Sequence, residues 1–186
     1  KAVAYTYKTK TYCKYDLMKD LADALGLAAA TTKQRYAFSF INGQLAGTGT
    51  KWNASEGKYL FAADHPLAAG ATVASGSNLV TGALSHAKLA EAIRLLYLTP
   101  DDMGTPMHLL PRALWVHPDQ EETAHILLQS RAKSGTPNND ANFLKDKYGG
   151  IEIVTCPWFT DTDAWILQGD QHKLICDVSI PLEARM

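Results

Sequence analysis

A long run of hydrophobic residues with helical spacing begins after Asp16, and it limits the possible folds more than any other feature of the sequence. Apolar positions recur every three or four residues, which places them along one side of an α-helix; they are Leu17, Leu21, Ala24, Leu25, Ala28, Thr32 and Tyr36. Asp16 is suited to the N-cap of this helix, and Asn42-Gly43 to its end. About 25 residues at 1.5 Å each give a length of roughly 37 Å. Such a helix is longer than a compact domain of this size needs, so we expect it to serve as a strut.

Spacing and capping residues predict a mixed order of strands and helices in the rest of the chain. Alternation of polar with aromatic or β-branched residues predicts strands, and apolar residues three or four apart predict helices. In chain order we predict a strand at 1–15, the long helix, a loop-like region at 43–81, a helix that Ser85 caps and Thr99 ends, a strand at 112–117, a helix that begins at Pro118, and strands at 151–156, 164–168 and 174–180. The predicted fold class is α+β.

Composition and charge exclude several classes of protein. The chain has 186 residues, 46% hydrophobic and 20% charged, which is typical of a soluble globular protein and excludes a disordered or repetitive one. A net charge of -1 gives no concentrated positive field for nucleic acid or for an acidic membrane. No apolar run is long enough to span a membrane, and the first residues lack a secretory signal. The three widely spaced cysteines, Cys13, Cys156 and Cys176, predict reduced thiols in a reducing cytosol.

Two pairs of residues could in principle carry chemistry. Glu122 and His125 form an E-x-x-H step on one helix face, but a di-iron site needs a second such step and two more carboxylates, and the sequence has no second copy. Cys156 has His172 downstream as a base for a nucleophilic thiol. Because Cys156 ends a hydrophobic strand just before Pro157, an inert buried cysteine is the more common explanation.

Asp161 and Asp163 flank Thr162 and could bind a divalent cation or share a proton. A turn between strands also uses Asp for local backbone hydrogen bonds, which is the more frequent role. The sequence contains no P-loop, no dinucleotide-binding fingerprint, no nucleophile elbow and no H-E-x-x-H zinc motif. We therefore predict no catalytic, cofactor-binding or metal-binding residues, and no enzyme activity.

Four parts of the chain together resemble a known family. They are residues 16–36 (DLMKDLADALGLAAATTKQRY), residues 58–67 with 78–85 (KYLFAADHPL and NLVTGALS), residues 99–106 with 110–118 (TPDDMGTP and LPRALWVHP), and residues 150–167 (GIEIVTCPWFTDTDAWIL). In order and separation they are similar to the spine helix, the Leu-Phe and His-Pro-Leu segment, the central Asp-Asp-Gly-Pro segment and the Pro-aromatic-Asp-Ala-Trp segment of Mu-like major capsid proteins of tailed phages. The subunits of that family have the HK97 fold.

The resemblance implies an HK97-like fold with a long spine helix, a peripheral domain and an axial domain. Residues 1–65 would supply a peripheral-type strand, the spine helix and the following loop, residues 66–149 an axial-type domain, and residues 150–186 the return strands of one intertwined unit. The family's N-terminal arm and C-terminal strands are not matched, so we expect this chain to be a fragment or the ordered part of a longer subunit.

The implied function is that of a structural subunit of an icosahedral tailed-phage or prophage head that encloses the DNA genome. Its partners would be copies of itself in hexamers and pentamers, with scaffold, portal and decoration proteins, and packaged DNA contacted weakly and non-specifically; no membrane and no cofactor are implied. Assembly would take place in the bacterial host cytoplasm, and the final location would be the virion capsid. The alternative is the shell of an encapsulin-like nanocompartment, and a third possibility is a small hydrolase built on Cys156 and His172.

Aromatic residues and two polar loops are the candidates for contacts between subunits. We expect Trp158, Phe159 and Trp165 to serve as core or interface residues, with the core favoured, since aromatic side chains carry much of the energy of buried surfaces. The loops at 43–57 and 134–140 are the expected contact or mobile segments.

Overall fold

A computed structural model describes residues 17–48, 57–71, 75–133 and 140–171 of the protein. The predicted strands at 1–15 and 174–180 and the predicted cap at Asp16 lie outside these residues. In chain order the elements are α1 (Leu17–Leu45), β1 (His65–Pro66), β2 (Ser75–Gly76), α2 (His86–Leu98), β3 (Pro111–Val116), a 3-10 turn (Pro118–Gln120), α3 (Glu121–Gln129), α4 (Phe143–Tyr148), β4 (Glu152–Thr155) and β5 (Trp165–Gly169). This mixture of helices and strands confirms the predicted α+β class.

The chain forms two compact units, residues 1–41 and residues 42–186. The described part of the first unit is residues 17–41, which form most of the 29-residue helix α1. The last four residues of α1 belong to the second unit. Most residues of its first half are good helix formers. Thr31 and Thr32, which are poorer ones, each donate a hydroxyl hydrogen bond to the carbonyl oxygen four residues earlier, at 2.9 and 2.7 Å.

The predicted end of the long helix at Asn42-Gly43 is wrong, because α1 continues to Leu45. Its termination is a Schellman motif in which the N–H of Thr48 donates to the Gly43 carbonyl oxygen at 2.8 Å and the N–H of Gly47 donates to that of Gln44 at 3.3 Å. Gly47 has a φ of 63°, the left-handed conformation that this motif requires and that glycine adopts at little cost. Gly47 is therefore the residue that stops the helix.

A three-stranded sheet lies at the centre of the second unit, in the order β4-β3-β5. Strand β3 is parallel to β4 and antiparallel to β5. The parallel pair requires a crossover, which α3 and α4 supply between the two strands. These three strands confirm the predictions at 112–117, 151–156 and 164–168 to within a few residues.

The helices of the second unit begin at identifiable caps. As predicted, Ser85 caps α2, its hydroxyl oxygen accepting from the N–H of Lys88 at 3.3 Å, and Pro118 opens the turn that leads into α3. Helix α4 was not predicted; the side chain of Asn142 caps it by accepting from the N–H of Leu144 at 3.1 Å. The region predicted as a loop, 43–81, contains the two-residue antiparallel pair of β1 and β2.

The hydrophobic core lies between the sheet and helices α2, α3 and α4. Its side chains with no exposed surface include Leu89 of α2, Leu114 and Val116 of β3, Leu128 of α3 and Leu144 of α4. Asn142 is only 1% exposed and donates from its amide to the carbonyl oxygens of Leu127 and Ser130 at 2.8 and 3.0 Å. One polar side chain thus links the end of α3 to the start of α4 inside the core.

Candidate functional site

The Glu122 and His125 pair lies on the exposed surface of α3. A metal site needs at least three converging ligands. Among the residues that the structure describes, no group of three or more His, Cys, Asp or Glu side chains is placed to hold a metal ion. The E-x-x-H step stands by itself on a solvated helix face.

Cys156 is buried, with 3% of its surface exposed, and its N–H donates to the Val116 carbonyl oxygen at 2.8 Å. Burial raises the pKa of its thiol, against a smaller opposing effect of the backbone N–H groups of Trp158 and Phe159. A protonated thiol is a poor nucleophile, so this environment favours an inert, buried cysteine over a catalytic one. His172, the proposed base, lies outside the described residues.

Asp161 and Asp163 shape a turn. The carboxylate of Asp161 accepts from the N–H of Asp163 at 3.0 Å, the local bond expected of an Asp in a turn. The carboxylate of Asp163 accepts from the side-chain amide of Gln120 at 3.0 Å, which links this turn to the start of α3. Both residues are exposed.

Different environments surround the three aromatic residues that we expect in the core or at an interface, Trp158, Phe159 and Trp165. Phe159 is 4% exposed and belongs to the core. Trp165 packs against the core cluster and donates from its indole nitrogen to the Gly82 carbonyl oxygen at 3.1 Å. Trp158 is half-buried. The favoured core role is confirmed for Phe159, whereas Trp165 is half-buried at the border of the core.

Helix α1 presents apolar side chains to solvent. In the described part of the first unit no side chain from 19 to 41 is fully buried, and Leu25, Leu27 and Tyr36 are 40%, 71% and 75% exposed. Leu25 and Tyr36 belong to the predicted apolar stripe, whereas Leu27 lies two residues from Leu25 and therefore faces another direction on a helix. The helix thus carries apolar surface on more than one side, which is typical of an element that other chains cover.

Side-chain hydrogen bonds join the end of α1 to distant segments of the second unit. The amide nitrogen of Asn42 donates to the Trp158 carbonyl oxygen at 2.9 Å, and its amide oxygen accepts from the N–H of Thr160 at 3.4 Å. Gln44 is 2% exposed, and its side-chain oxygen accepts from the N–H of Leu60 at 2.9 Å. These bonds connect the helix end to two of the segments that carry the family resemblance, 150–167 and 58–67.

Two further polar side chains organise the middle segments. Asn78 accepts from the N–H of Ala62 at 2.9 Å and donates to the Leu60 carbonyl oxygen at 2.7 Å, which joins segment 58–67 to segment 78–85. The carboxylate of Asp101 accepts from the N–H groups of Met103 and Thr105 at 2.9 and 2.8 Å. The polar residues of these segments therefore build loop structure.

An open groove lies between α2 and α4, and no sequence motif marks it. Its volume is about 330 Å³, and the residues that line it include Arg94, Tyr97, Leu98, Phe143, Lys147 and Tyr148, which we call the aromatic groove. The hydroxyl groups of Tyr97 and Tyr148 lie 3.4 Å apart, and this hydrogen bond raises the pKa of Tyr97. The groove joins residues about fifty positions apart, so no local sequence pattern could reveal it.

The loops predicted as contact segments are only partly described. Residues 49–56 of the first loop and 134–139 of the second lie outside the described residues. The candidate interaction surfaces are therefore α1 and the aromatic groove.

Exposed apolar side chains on a long helix and an open apolar groove are typical of a chain that associates with others. The chain belongs to the family of phage capsid proteins, which its sequence matches over residues 1–178. It is a structural protein of the phage head, and its family implies self-association into a shell and a place in the virion. Comparison with curated proteins and with solved structures found no match. Within the described ranges, no helix has both the length and the hydropathy needed to cross a membrane.

Proposed function

We propose that this chain is a Mu-like major capsid subunit with the HK97 fold, which assembles into hexamers and pentamers and then into an icosahedral shell around the DNA of a tailed phage or prophage. In this proposal residues 1–65 form the peripheral-type part, residues 66–149 the axial-type domain and residues 150–186 the return strands. Scaffold, portal and decoration proteins are its further partners, and packaged DNA is contacted weakly and without specificity.

The observation that carries the proposal is the exposure of α1 in a chain of the phage capsid family. A 29-residue helix that exposes Leu27 and Tyr36 by more than two thirds leaves apolar surface uncovered in the isolated chain. A spine helix in a shell has neighbours that can cover such surface, and burying it is worth about 25 cal/mol per Å². The geometry of α1 therefore supports an assembled state.

Support also comes from the way the second unit is built. Polar side chains at Asn42, Gln44 and Asn78 tie separate segments together by bonds to backbone groups, so they stabilise one intertwined unit. Many modest contacts, each repeated by symmetry, then give a stable shell although each one is weak.

Electron microscopy of the product of the complete gene, purified gently by size with and without its scaffold, tests the proposal. Uniform hollow shells tens of nanometres across are expected. Shells that enclose DNA in infected or induced cells support the phage head, whereas shells that enclose a cargo enzyme would establish the nanocompartment alternative. A protein that stays monomeric even with its scaffold supplied would contradict the proposal.

A further inference from the structure

The aromatic groove has the chemistry of a docking surface with a positive charge. Leu98 and Phe143 at the groove are 51% and 57% exposed, which leaves apolar area for a partner to cover. His108 packs its ring 5.0 Å from that of Tyr97, and Phe143 meets Tyr148 edge to face at 5.9 Å. Packed rings of this kind form a stiff wall, which loses little conformational entropy when a partner binds.

Two cations line the groove, and no carboxylate does. The Nζ of Lys147 lies 5.9, 5.7 and 5.3 Å from the ring centroids of Tyr97, Phe143 and Tyr148. Arg94 lines the same groove and is exposed. In the described part of the chain neither cation forms an ion pair, so the groove offers positive charge to a partner.

A surface of the opposite charge lies on the same unit, and we call it the acidic edge. It consists of exposed carboxylates at the start of α3 and in the turn before β5, namely Asp119, Glu121, Glu122, Asp161 and Asp163. The hydrogen bond from Gln120 to Asp163 holds the two parts together. No Lys or Arg occurs from 113 to 130 or from 148 to 172. The described histidines of these segments are His117, whose ring nitrogen lies 3.4 Å from the Asp119 carboxylate, and the exposed His125.

The groove and the acidic edge lie at opposite ends of β3. At the Pro111 end, Gly169 pairs with Pro111 and approaches Leu96 of α2, while α4 leads into β4, whose Glu152 pairs with Ala113. At the Val116 end, the chain runs directly into the acidic edge, and Val116 pairs with Trp165, two residues after Asp163. The six residues of β3 separate the two ends by about 20 Å.

We propose that the aromatic groove of one copy receives the acidic edge of the next copy in the ring of a capsomer. Two different, complementary surfaces at opposite ends of one sheet give a head-to-tail contact, and such contacts close into rings when the rotation between copies allows it. Lys147 and Arg94 then face Glu121 and Glu122 of the neighbour, while Phe143 and Leu98 lose their exposed area. The inference rests on the proposed function, because it names the surfaces through which the subunit assembles.

Charge reversal and its rescue test the contact. Arg94→Glu with Lys147→Glu makes the groove acidic and sets like charges against each other, so the fraction of protein recovered as shells falls about tenfold or more. Glu121→Lys with Glu122→Lys does the same from the other side. The chain that carries all four substitutions has the opposite charges in register again, and it recovers shells to within a few fold of the unmodified protein.

Matched controls reverse exposed charges away from both surfaces. Arg131→Glu and Glu152→Lys lie on exposed positions outside the groove and the acidic edge, and their shell yield stays at the unmodified level. Circular dichroism and melting temperature of each variant show that it folds. Loss of assembly in a folded groove variant, with rescue by the four-fold variant, supports the contact.

Four outcomes would overturn the inference. If the unmodified protein forms shells and the charge reversals do not change the yield, this contact is wrong and the proposed function stands. The same conclusion follows if the chain with all four substitutions folds but does not assemble. If the groove variant assembles normally but its shells lose DNA, the groove serves packaged nucleic acid instead. If the unmodified protein never self-associates, even with its scaffold, the contact and the proposed function both fail.

Discussion

The side-chain amide of Asn42 donates a hydrogen bond to the backbone carbonyl oxygen of Trp158 at 2.9 Å, joining positions 116 residues apart. Its oxygen accepts from the N–H of Thr160 at the same time. Asn42, which the sequence suggests as the end of the helix, thus connects the last turn of α1 to the segment before β5. Gly47 ends the helix instead.

Replacing Asn42 with Ala removes both bonds and leaves the partly buried Trp158 carbonyl oxygen and the exposed Thr160 N–H without that partner. We expect a loss of about 1 kcal/mol in the free energy of unfolding, since Ala regains some helix propensity. Urea unfolding followed by tryptophan fluorescence measures it. Gln34→Ala, at an exposed position of the same helix, is the control and should change stability by less than about 0.5 kcal/mol. Equal effects of the two substitutions would show that these bonds are not stabilising.

Leu114 in the central strand has no exposed surface and belongs to the core cluster. Leu114→Ala leaves a cavity between the sheet and the helices, so we expect a loss of about 2 to 5 kcal/mol. Ile126→Ala is the control, because Ile126 is 42% exposed on α3 and should cost much less. Thermal unfolding of the two variants side by side makes the comparison, and a similar fall in melting temperature for both would argue against this core.

The thiol of Cys156 is buried, and burial raises its pKa. We expect iodoacetamide to label it far more slowly in the native protein than in urea, with labelling at this position read by peptide mass mapping. The raised pKa also means that the folded state binds the thiol proton more tightly than the unfolded state. The stability from this group is therefore complete below the ordinary pKa of a thiol and is lost as the pH rises through the raised value. Equal labelling of the native and unfolded protein would contradict this placement.

Substitution of the exposed apolar residues of α1 should reduce assembly without affecting folding. Leu27→Gln with Tyr36→Gln should leave the free energy of unfolding within about 0.5 kcal/mol, because both side chains are mostly in solvent in the single chain. Shell formation should fall, since a neighbour would then cover polar amides in place of apolar groups. Lys33→Gln on the same helix is the matched control. Normal shells from the double variant would remove α1 from the interface.

The parts of the fold that sequence reasoning predicted are those with local signals. Ser85 caps α2 with its own side chain, and Pro118 opens the turn before α3. The start of each helix therefore depends on residues within a few positions of it. Strand β3 is a short apolar run between the turn that follows α2 and Pro118. The family resemblance, carried by the order of several such segments, predicted a phage capsid protein, and the match over residues 1–178 confirms that class. The Mu-like type and the HK97 fold stay predictions.

The parts that the sequence did not reveal depend on distant partners. Helix α4 is six residues long, too short for a periodic pattern, and it depends on Asn142, which is satisfied by carbonyl groups of α3 and its C-cap. The end of α1 was misplaced because Asn42 bonds to Trp158 and not to its own helix. The aromatic groove arises only when α2 and α4 pack together.

A cryo-EM reconstruction of the particles formed by the complete gene product tests most directly the proposal that this chain builds an HK97-fold shell. It should show an icosahedral shell of hexamers and pentamers built from this chain in the HK97 fold, with Leu27 and Tyr36 of α1 covered by neighbouring copies. A shell whose subunits have another fold, or one in which α1 remains bare on both surfaces, would contradict it.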